Sequence, residues 1–273
     1  MARPQIEFIQ SQRLAWTPDP RFGLGRDVEV KILSEDTETG AASLLVRYPA
    51  GWTLPAGARG ADEEFLILDG ELKVGDTVYG YFNYAHWPSG YAAGARASAS
   101  GATVLTFFSG DPRQPAPVSY EPTRLVERLD AFVIPYTGNF HREFPPGAGR
   151  KVLFTDPTTK ETSWILGTLP LRWAERSEMH EDVEEMYLLS GESHGDRGVM
   201  RPGAYFWRPG HLAHGPYGTL TGNLYFFRSK GGPLVTRYVD PQISFRWWPP
   251  YRPALPPGLE AVGGEAAQGA RPW

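Results

Sequence analysis

The chain repeats itself. The run Lys31-Ile-Leu-Ser-Glu-Asp-Thr-Glu-Thr-Gly-Ala-Ala-Ser returns 120 positions later as Lys151-Val-Leu-Phe-Thr-Asp-Pro-Thr-Thr-Lys-Glu-Thr-Ser. The offset then becomes 121, kept by Trp52 and Trp173, Glu63-Glu64 and Glu184-Glu185, Gly70-Glu71 and Gly191-Glu192, and Pro88 and Pro209. Two copies of one unit in 273 residues imply two domains of about 120 residues, each large enough to bury a core. The register also lets every functional position in one copy be checked against the other.

Composition narrows the partners. Hydrophobic residues make up 41% and aromatics 13%, and the net charge is −4, which gives no reason to expect nucleic acid or an acidic membrane surface. The expected partner is a small molecule. The chain has no cysteine, so disulfides, thiolate metal sites and a cysteine nucleophile are excluded. Met1-Ala-Arg-Pro-Gln-Ile-Glu lacks the apolar core of a signal peptide, and no run of about 18 apolar residues suggests a membrane span. A soluble, cytoplasmic protein is expected.

Helical periodicity is scarce, while 31 glycines and 26 prolines punctuate short runs rich in Val, Leu, Ile, Tyr and Phe. That pattern predicts an all-β fold. Candidate strands are 28–33, 42–48, 64–68, 71–74, 103–108, 151–154, 162–166, 185–189, 204–207 and 223–228. Their spacing suits a barrel or a double-sheet jelly roll, in which edges are closed or covered. The domains expected are 1–120, a connector over 121–148 whose Leu125-Val-Glu-Arg-Leu forms a short helical turn, and 149–245. The remainder, 246–273, is too rich in Pro, Gly and Ala to pack a core of its own. Its aromatic start is expected to dock on a barrel or a second subunit and the rest to be disordered.

In the second copy, Glu178-Met-His180-Glu-Asp-Val-Glu184 leads to Gly191, and Gly203 leads through Pro209 and His211 to His214. This spacing resembles the two motifs of the cupin superfamily: Gly, five residues, His, any, His, three or four residues, Glu, six residues, Gly; and Gly, five residues, Pro, any, Gly, two residues, His. Two departures stand out. Glu178 occupies the first histidine position, and His211 replaces the last glycine of the second motif. The resemblance spans roughly 26–110 and 146–232, so the chain resembles a bicupin. Glu184-Glu-Met-Tyr-Leu-Leu-Ser-Gly-Glu, Tyr205-Phe-Trp-Arg-Pro and His214-Gly-Pro are similar to ChrR-like regulatory cupins and acetylacetone-cleaving dioxygenases. It implies two tandem cupin barrels and a bound metal.

Strand geometry agrees with that ligand spacing. Alternate residues project to one face, so 178 and 180 can point together into a barrel and Glu184 can rejoin them after a turn. The candidate ligands are His180, Glu184 and His214, with Glu178 as a fourth ligand or a catalytic acid/base. Two imidazoles and a carboxylate form the facial triad of non-haem Fe(II) oxygenases, although Zn, Mn, Co or Ni accepts the same atoms. Trp173, Tyr187, Tyr205, Trp207, Tyr225 and Phe227 can line an apolar pocket or pack a core. Trp173, Tyr205, Trp207, His211 and Arg228 are the substrate-binding candidates. His141 and His194 are expected to be structural or exposed, and His86, which matches Trp207 in the other copy, has no ligand partner in sequence.

Carried back by 121, Glu178 falls on Gly57, His180 on Arg59, Glu184 on Glu63 and His214 on Ala93. A carboxylate beside an arginine cannot hold a transition metal in the usual way, because Arg offers only donors and a fixed positive charge. Arg59 and Glu63 are expected to form an ion pair where a metal would sit. Three functional readings follow: an Fe(II) dioxygenase acting on an enolisable or phenolic substrate; a non-oxidative isomerase, lyase or hydrolase using the metal as Lewis acid; and a non-catalytic sensor or binding protein. Family analogy adds a homodimer paired through strand edges.

Overall fold

A computed structural model describes residues 3–138, 146–266 and 269–273; His141 lies outside the described residues. The chain is all-β, as expected, with antiparallel sheets and, among the described residues, only three-residue 3-10 turns for helix. No helix of the described residues is long and apolar enough to cross a membrane. The chain divides into two compact units, Met1–Arg3 with Ala15–Val133 and Pro4–Leu14 with Ile134–Trp273.

In the first unit, a seven-stranded sheet runs in the order Val126–Asp130, Asn83–Trp87, Glu63–Gly70, Ala102–Phe108, Ala42–Tyr48, Glu29–Glu35, Thr17–Pro18. A four-stranded sheet carries Trp52–Leu54, Arg96–Ser98, Leu72–Val74 and Thr77–Tyr79. One core unites them: Val46, Phe65 and Ile67 of the larger sheet pack with Trp52, Leu72 and Tyr79 of the smaller. Successive side chains of a strand face opposite sides, so this core takes alternate residues, Ala42, Leu44, Val46 and Tyr48 from one strand and Phe65 and Ile67 from another.

The second unit repeats this plan. Its six-stranded sheet runs Ile6–Gln10, Ala204–Arg208, Val183–Gly191, Asn223–Lys230, Thr162–Thr168, Ala148–Thr155, and its four-stranded sheet holds Arg172–Trp173, Gly218–Thr219, Ser193–Gly195 and Gly198–Met200. A third ribbon pairs Ser177–His180 with Thr236–Val239. The repeat is kept in the ladder that carries the motif glutamate. Glu63 faces Trp87 across one ladder and Glu184 faces Arg208 across its counterpart. The bridge joining Gly57 to Ala93 reappears between Glu178 and His214. The motif glycines repeat as well: Gly70 and Gly191 have φ of 71° and 78°, and a Cβ would lie 2.1 and 2.0 Å from the carbonyl oxygens of Gly101 and Gly222. Only glycine satisfies both conditions.

Two expectations about irregular segments change. The helical turn is Pro122–Arg124, where a proline presets φ, and Val126–Asp130 is a strand on the edge of Asn83–Trp87. That edge offers unpaired backbone groups that an adjacent extended segment can satisfy. The tail's aromatic start meets the second unit, as expected, and contacts reach residues beyond it that were expected to be disordered. Trp247 and Trp248 meet the His194 ring at 5.2 and 4.6 Å, the Tyr251 hydroxyl donates to the Phe8 carbonyl at 2.8 Å, and Ser11 donates to the Pro272 carbonyl at 3.0 Å. A chain poor in self-contacts gains order here by pairing its carbonyls with donors on Ser11, Gln12 and Tyr187.

Candidate metal centre

Three segments of the second unit converge on one point: the strand Ser177–His180, the strand Val183–Gly191, and the loop after Ala204–Arg208 that ends at His214. Glu178 and His214 exchange both backbone hydrogen bonds at 2.9 Å, which fixes the loop against the strand. Alternation then puts Glu178 and His180 on one side. Ligand atoms of Glu178, His180 and His214 lie within 4.8 Å of one another, the group of this kind present among the described residues. Glu184 joins them, with Oε1 3.6 Å from His180 Nε2 and Oε2 3.6 Å from His214 Nε2. Atoms that share an ion at about 2.1 Å can be up to about 4.2 Å apart, so the two 3.6 Å separations from Glu184 suit a shared cation.

Each imidazole is oriented through its other nitrogen. His180 Nδ1 lies 3.3 Å from the Val235 carbonyl and His214 Nδ1 lies 2.9 Å from the Leu212 carbonyl. A carbonyl only accepts, so Nδ1 carries the proton and Nε2 keeps its lone pair. His180 Nε2 is buried and has no hydrogen-bond partner. Burial holds both histidines below the usual imidazole range, His214 strongly so, with Arg208 adding to the effect. Both are thus neutral near pH 7 and ready to bind a metal without releasing a proton.

Charge makes the same case. Arg208 donates to Glu184 and also to Glu7, at 2.5 and 2.7 Å, while Tyr217 Oη accepts from it at 2.8 Å. Glu7 and Glu184 thus share one guanidinium, which leaves one negative charge of the pair uncancelled by it. Burial pushes the Glu184 carboxyl up to about 7 against the pull of Arg208, and burial likewise raises Glu178. Buried carboxylates rise in this way where positive charge is short.

The first unit fills the same place differently. Arg59 donates to Glu63 at 2.9 Å, the expected ion pair, and Arg96 adds a two-pronged contact at 2.6 and 2.7 Å. Two guanidiniums neutralise the one carboxylate, and Gly57 and Ala93 bring no ligand atoms. Phe65, Tyr79 and Trp87 form an edge-to-face cluster with centroids 4.8 to 6.0 Å apart. At offset 121 the second unit has Met186, Met200 and Arg208, and there a cavity of about 180 Å³ remains. Burial raises and Arg96 and Arg59 lower the Glu63 carboxyl, and the arginines win. Its folded pKa is therefore below its unfolded one, so the pairing stabilises fully above about pH 4.3 and is lost as pH falls through the lower folded value. In Glu63→Gln, denaturation midpoints should fall less steeply with pH below about 4.3 than in the unmodified protein.

The cavity is lined by Glu178, Glu184 and His214, and by Tyr225 and Phe227 from the aromatic set, whereas His180 is not among its lining residues. The remaining substrate-binding candidates lie elsewhere. Trp173 is half exposed against Trp247. Tyr205 donates to Glu185 at 2.6 Å, Arg228 pairs with Glu185 at 2.8 Å, and Trp207 is opposite Glu185 in the ladder. His211 is exposed, with φ of 65°. Parity explains this: Glu184 turns inward, so its ladder partner Arg208 does too, along with Phe206, and Tyr205 and Trp207 point away. Arg150, Arg172, Arg208 and Tyr217 line the cavity and were missed. Counting alternation from Glu184 across the repeat would have found Arg208. Glu7 carries no sequence signal, because the first strand of the chain brings it in from far away.

Solved structures with the same fold are cupin-like. They include a candidate dioxygenase from Nostoc punctiforme PCC 73102 (TM-score 0.78, 19% identity, 87% of this chain and 88% of that one). They also include YlbA from E. coli (0.59, 14%, 83% and 91%) and oxalate decarboxylase from Bacillus subtilis (0.56, 12%, 85% and 78%). At these identities the likeness concerns the fold alone. No curated protein matches the sequence. A family model covers residues 16–234, and the chain belongs to that family, the domain of unknown function DUF4437.

Proposed function

We propose that the chain is a bicupin of two tandem barrels in which only the second is a metalloenzyme, and that it is an Fe(II)-dependent dioxygenase acting on a small enolisable or phenolic substrate. One observation carries the reading: two neutral imidazoles, His180 with a bare Nε2, and two carboxylates converge beside a partly apolar cavity. A bound Fe(II) would polarise the substrate oxygens and admit O₂ at its open positions. The protein itself orients and shields. Val235 and Leu212 carbonyls aim the imidazoles, Arg208 steadies Glu184, and Trp164, Phe206 and Phe227 exclude water from the reacting face.

A second reading, a non-oxidative isomerase, lyase or hydrolase, is favoured by Glu178, whose raised carboxyl suits a group that gives and takes a proton. Anaerobic purification, metal analysis and oxygen uptake on diketones and phenolic ketones separate the two. Iron with substrate-dependent uptake supports the dioxygenase; zinc with no uptake on any of them sinks it. Light scattering tests the proposed homodimer.

A further inference from the structure

The two copies differ at a second place inside the fold. At offset 121, Leu72, Ala102 and Val104 of the first unit's apolar core become Ser193, Asn223 and Tyr225. The ladders keep the register: Leu72 faces Tyr79 as Ser193 faces Met200, and Val104 faces Ile67 as Tyr225 faces Leu188. Three apolar interior positions are thus polar in the unit that carries the His/Glu cluster. Burying hydroxyls and an amide costs free energy unless their protons find acceptors.

The Glu192 carbonyl only accepts, so the Asn223 group 3.0 Å from it is the amide nitrogen, and the Asn223 oxygen takes the Thr168 hydroxyl proton. The same nitrogen donates to Tyr225 Oη at 2.6 Å. The phenol oxygen accepts in that bond, so its own proton is left for another acceptor. Ser193 Oγ is buried and, among the described residues, makes no hydrogen bond. Burial lifts the Tyr225 phenol to about 12, and Ser193 is near enough to pull against that rise. Even a contact between the two hydroxyls would spend only one of their two protons. Both residues line the cavity, so a donor remains for whatever occupies it.

We propose that Ser193 and Tyr225 form a carbonyl-binding site, and that the substrate is a small, roughly ring-sized ketone or aldehyde whose carbonyl oxygen accepts from these hydroxyls. This rests on the reading of the cavity as the substrate site of the metal centre and names a group the substrate carries. A carbonyl has two lone pairs and no proton, whereas an alcohol would bring a further proton in need of an acceptor. Size agrees: a cavity of about 150 Å³ accepts a single benzene ring, and this one is about 180 Å³, with Trp164, Leu166, Met186 and Phe227 as apolar walls. The site is also separate from the ligands. Tyr225 is opposite Leu188, four residues beyond Glu184 on the same strand, about 13 Å along it.

Acetophenone and its hydrocarbon isostere α-methylstyrene test the site by calorimetric titration of the full chain, as purified and after metal stripping, with metal content measured on each sample. Acetophenone should bind the stripped protein roughly tenfold tighter, the worth of one or two net hydrogen bonds. Ser193→Ala should lose part of that preference. Combined with Tyr225→Phe, which removes the second hydroxyl and keeps the ring, it should erase the preference by weakening acetophenone alone. Ser193→Ala should also leave the melting temperature of the ligand-free protein unchanged or higher, because it removes a hydroxyl that has no partner. A lower melting temperature would make that hydroxyl a structural one and overturn the proposal. So would the absence of a preference in the stripped unmodified protein, with binding of both probes or of neither, or a preference that survives the double change. If the protein as purified holds no metal yet shows the hydroxyl-dependent preference, the metal reading fails and this one stands. If metal is present and the double change is without effect, only this one fails.

Discussion

Replacing His180 or His214 by Ala is expected to abolish metal retention. Each change removes one of two neutral nitrogen donors whose lone pairs face the cluster, and the carboxylates that remain are drawn partly to Arg208. Loss of a mere outer hydrogen-bond partner costs about 10–100-fold in affinity, so loss of a ligand should exceed that. Metal analysis after gel filtration reads the result directly. The stability readout is independent: an ion held at 100 times its Kd adds about 2.7 kcal/mol, so added metal should raise the melting temperature of the unmodified protein by several degrees and leave both variants unmoved. Arg59→Met in the first unit should change stability but not metal content. Two ions per chain, or a content indifferent to the loss of both histidines, would show that the site is misassigned.

Arg208→Met is expected to be the most destabilising single change in the second unit. The guanidinium is buried, is 3.9 Å from the Phe206 ring centroid, and is the shared partner of Glu7 and Glu184. Removing one member of a buried ionic group costs about 3–5 kcal/mol because the others keep their charge and lose their compensation. At about 2–4 °C per kcal/mol, the metal-stripped protein should melt roughly 10 °C lower. Two further readouts tie the loss to charge. Adding Glu7→Gln should recover part of it, and metal should stabilise the variant more than the unmodified protein, since the freed Glu184 can turn wholly to the ion. An unchanged melting temperature in the stripped variant would contradict the role given to Arg208.

Much of the fold was legible in the chain. Runs such as 42–48 and 204–207 are rich in apolar and aromatic side chains between turn glycines, and strands form over both. The strand Ile6–Gln10 was not foreseen. It is short, and its place beside Ala204–Arg208 depends on an edge contributed by residues nearly 200 positions away. The cluster was legible for the same reason as the strands: 178, 180 and 184 are local, and strand alternation with one turn suffices to bring them together. The rest of the cavity was not. Tyr205 and Trp207 were the natural aromatic candidates, but a one-residue change of parity exchanges the two faces of a strand, and only the pairing of Glu184 with Arg208 decides which face looks inward.

The internal repeat by itself determined that this protein has two related units, and residue types alone determined that one lost what the other kept: Arg59 and Ala93 stand against His180 and His214. Tertiary structure decided what that difference produces. In the first unit Arg59, Arg96 and three interlocked aromatics close the interior; in the second, Met186 and Met200 leave room, and Arg208 holds Glu184 and Glu7 at the edge of the cluster. The reason is physical. Ligand spacing is set by the geometry of one strand and its turn, whereas burial, charge balance and cavity shape are set by residues that meet only when distant strands pair.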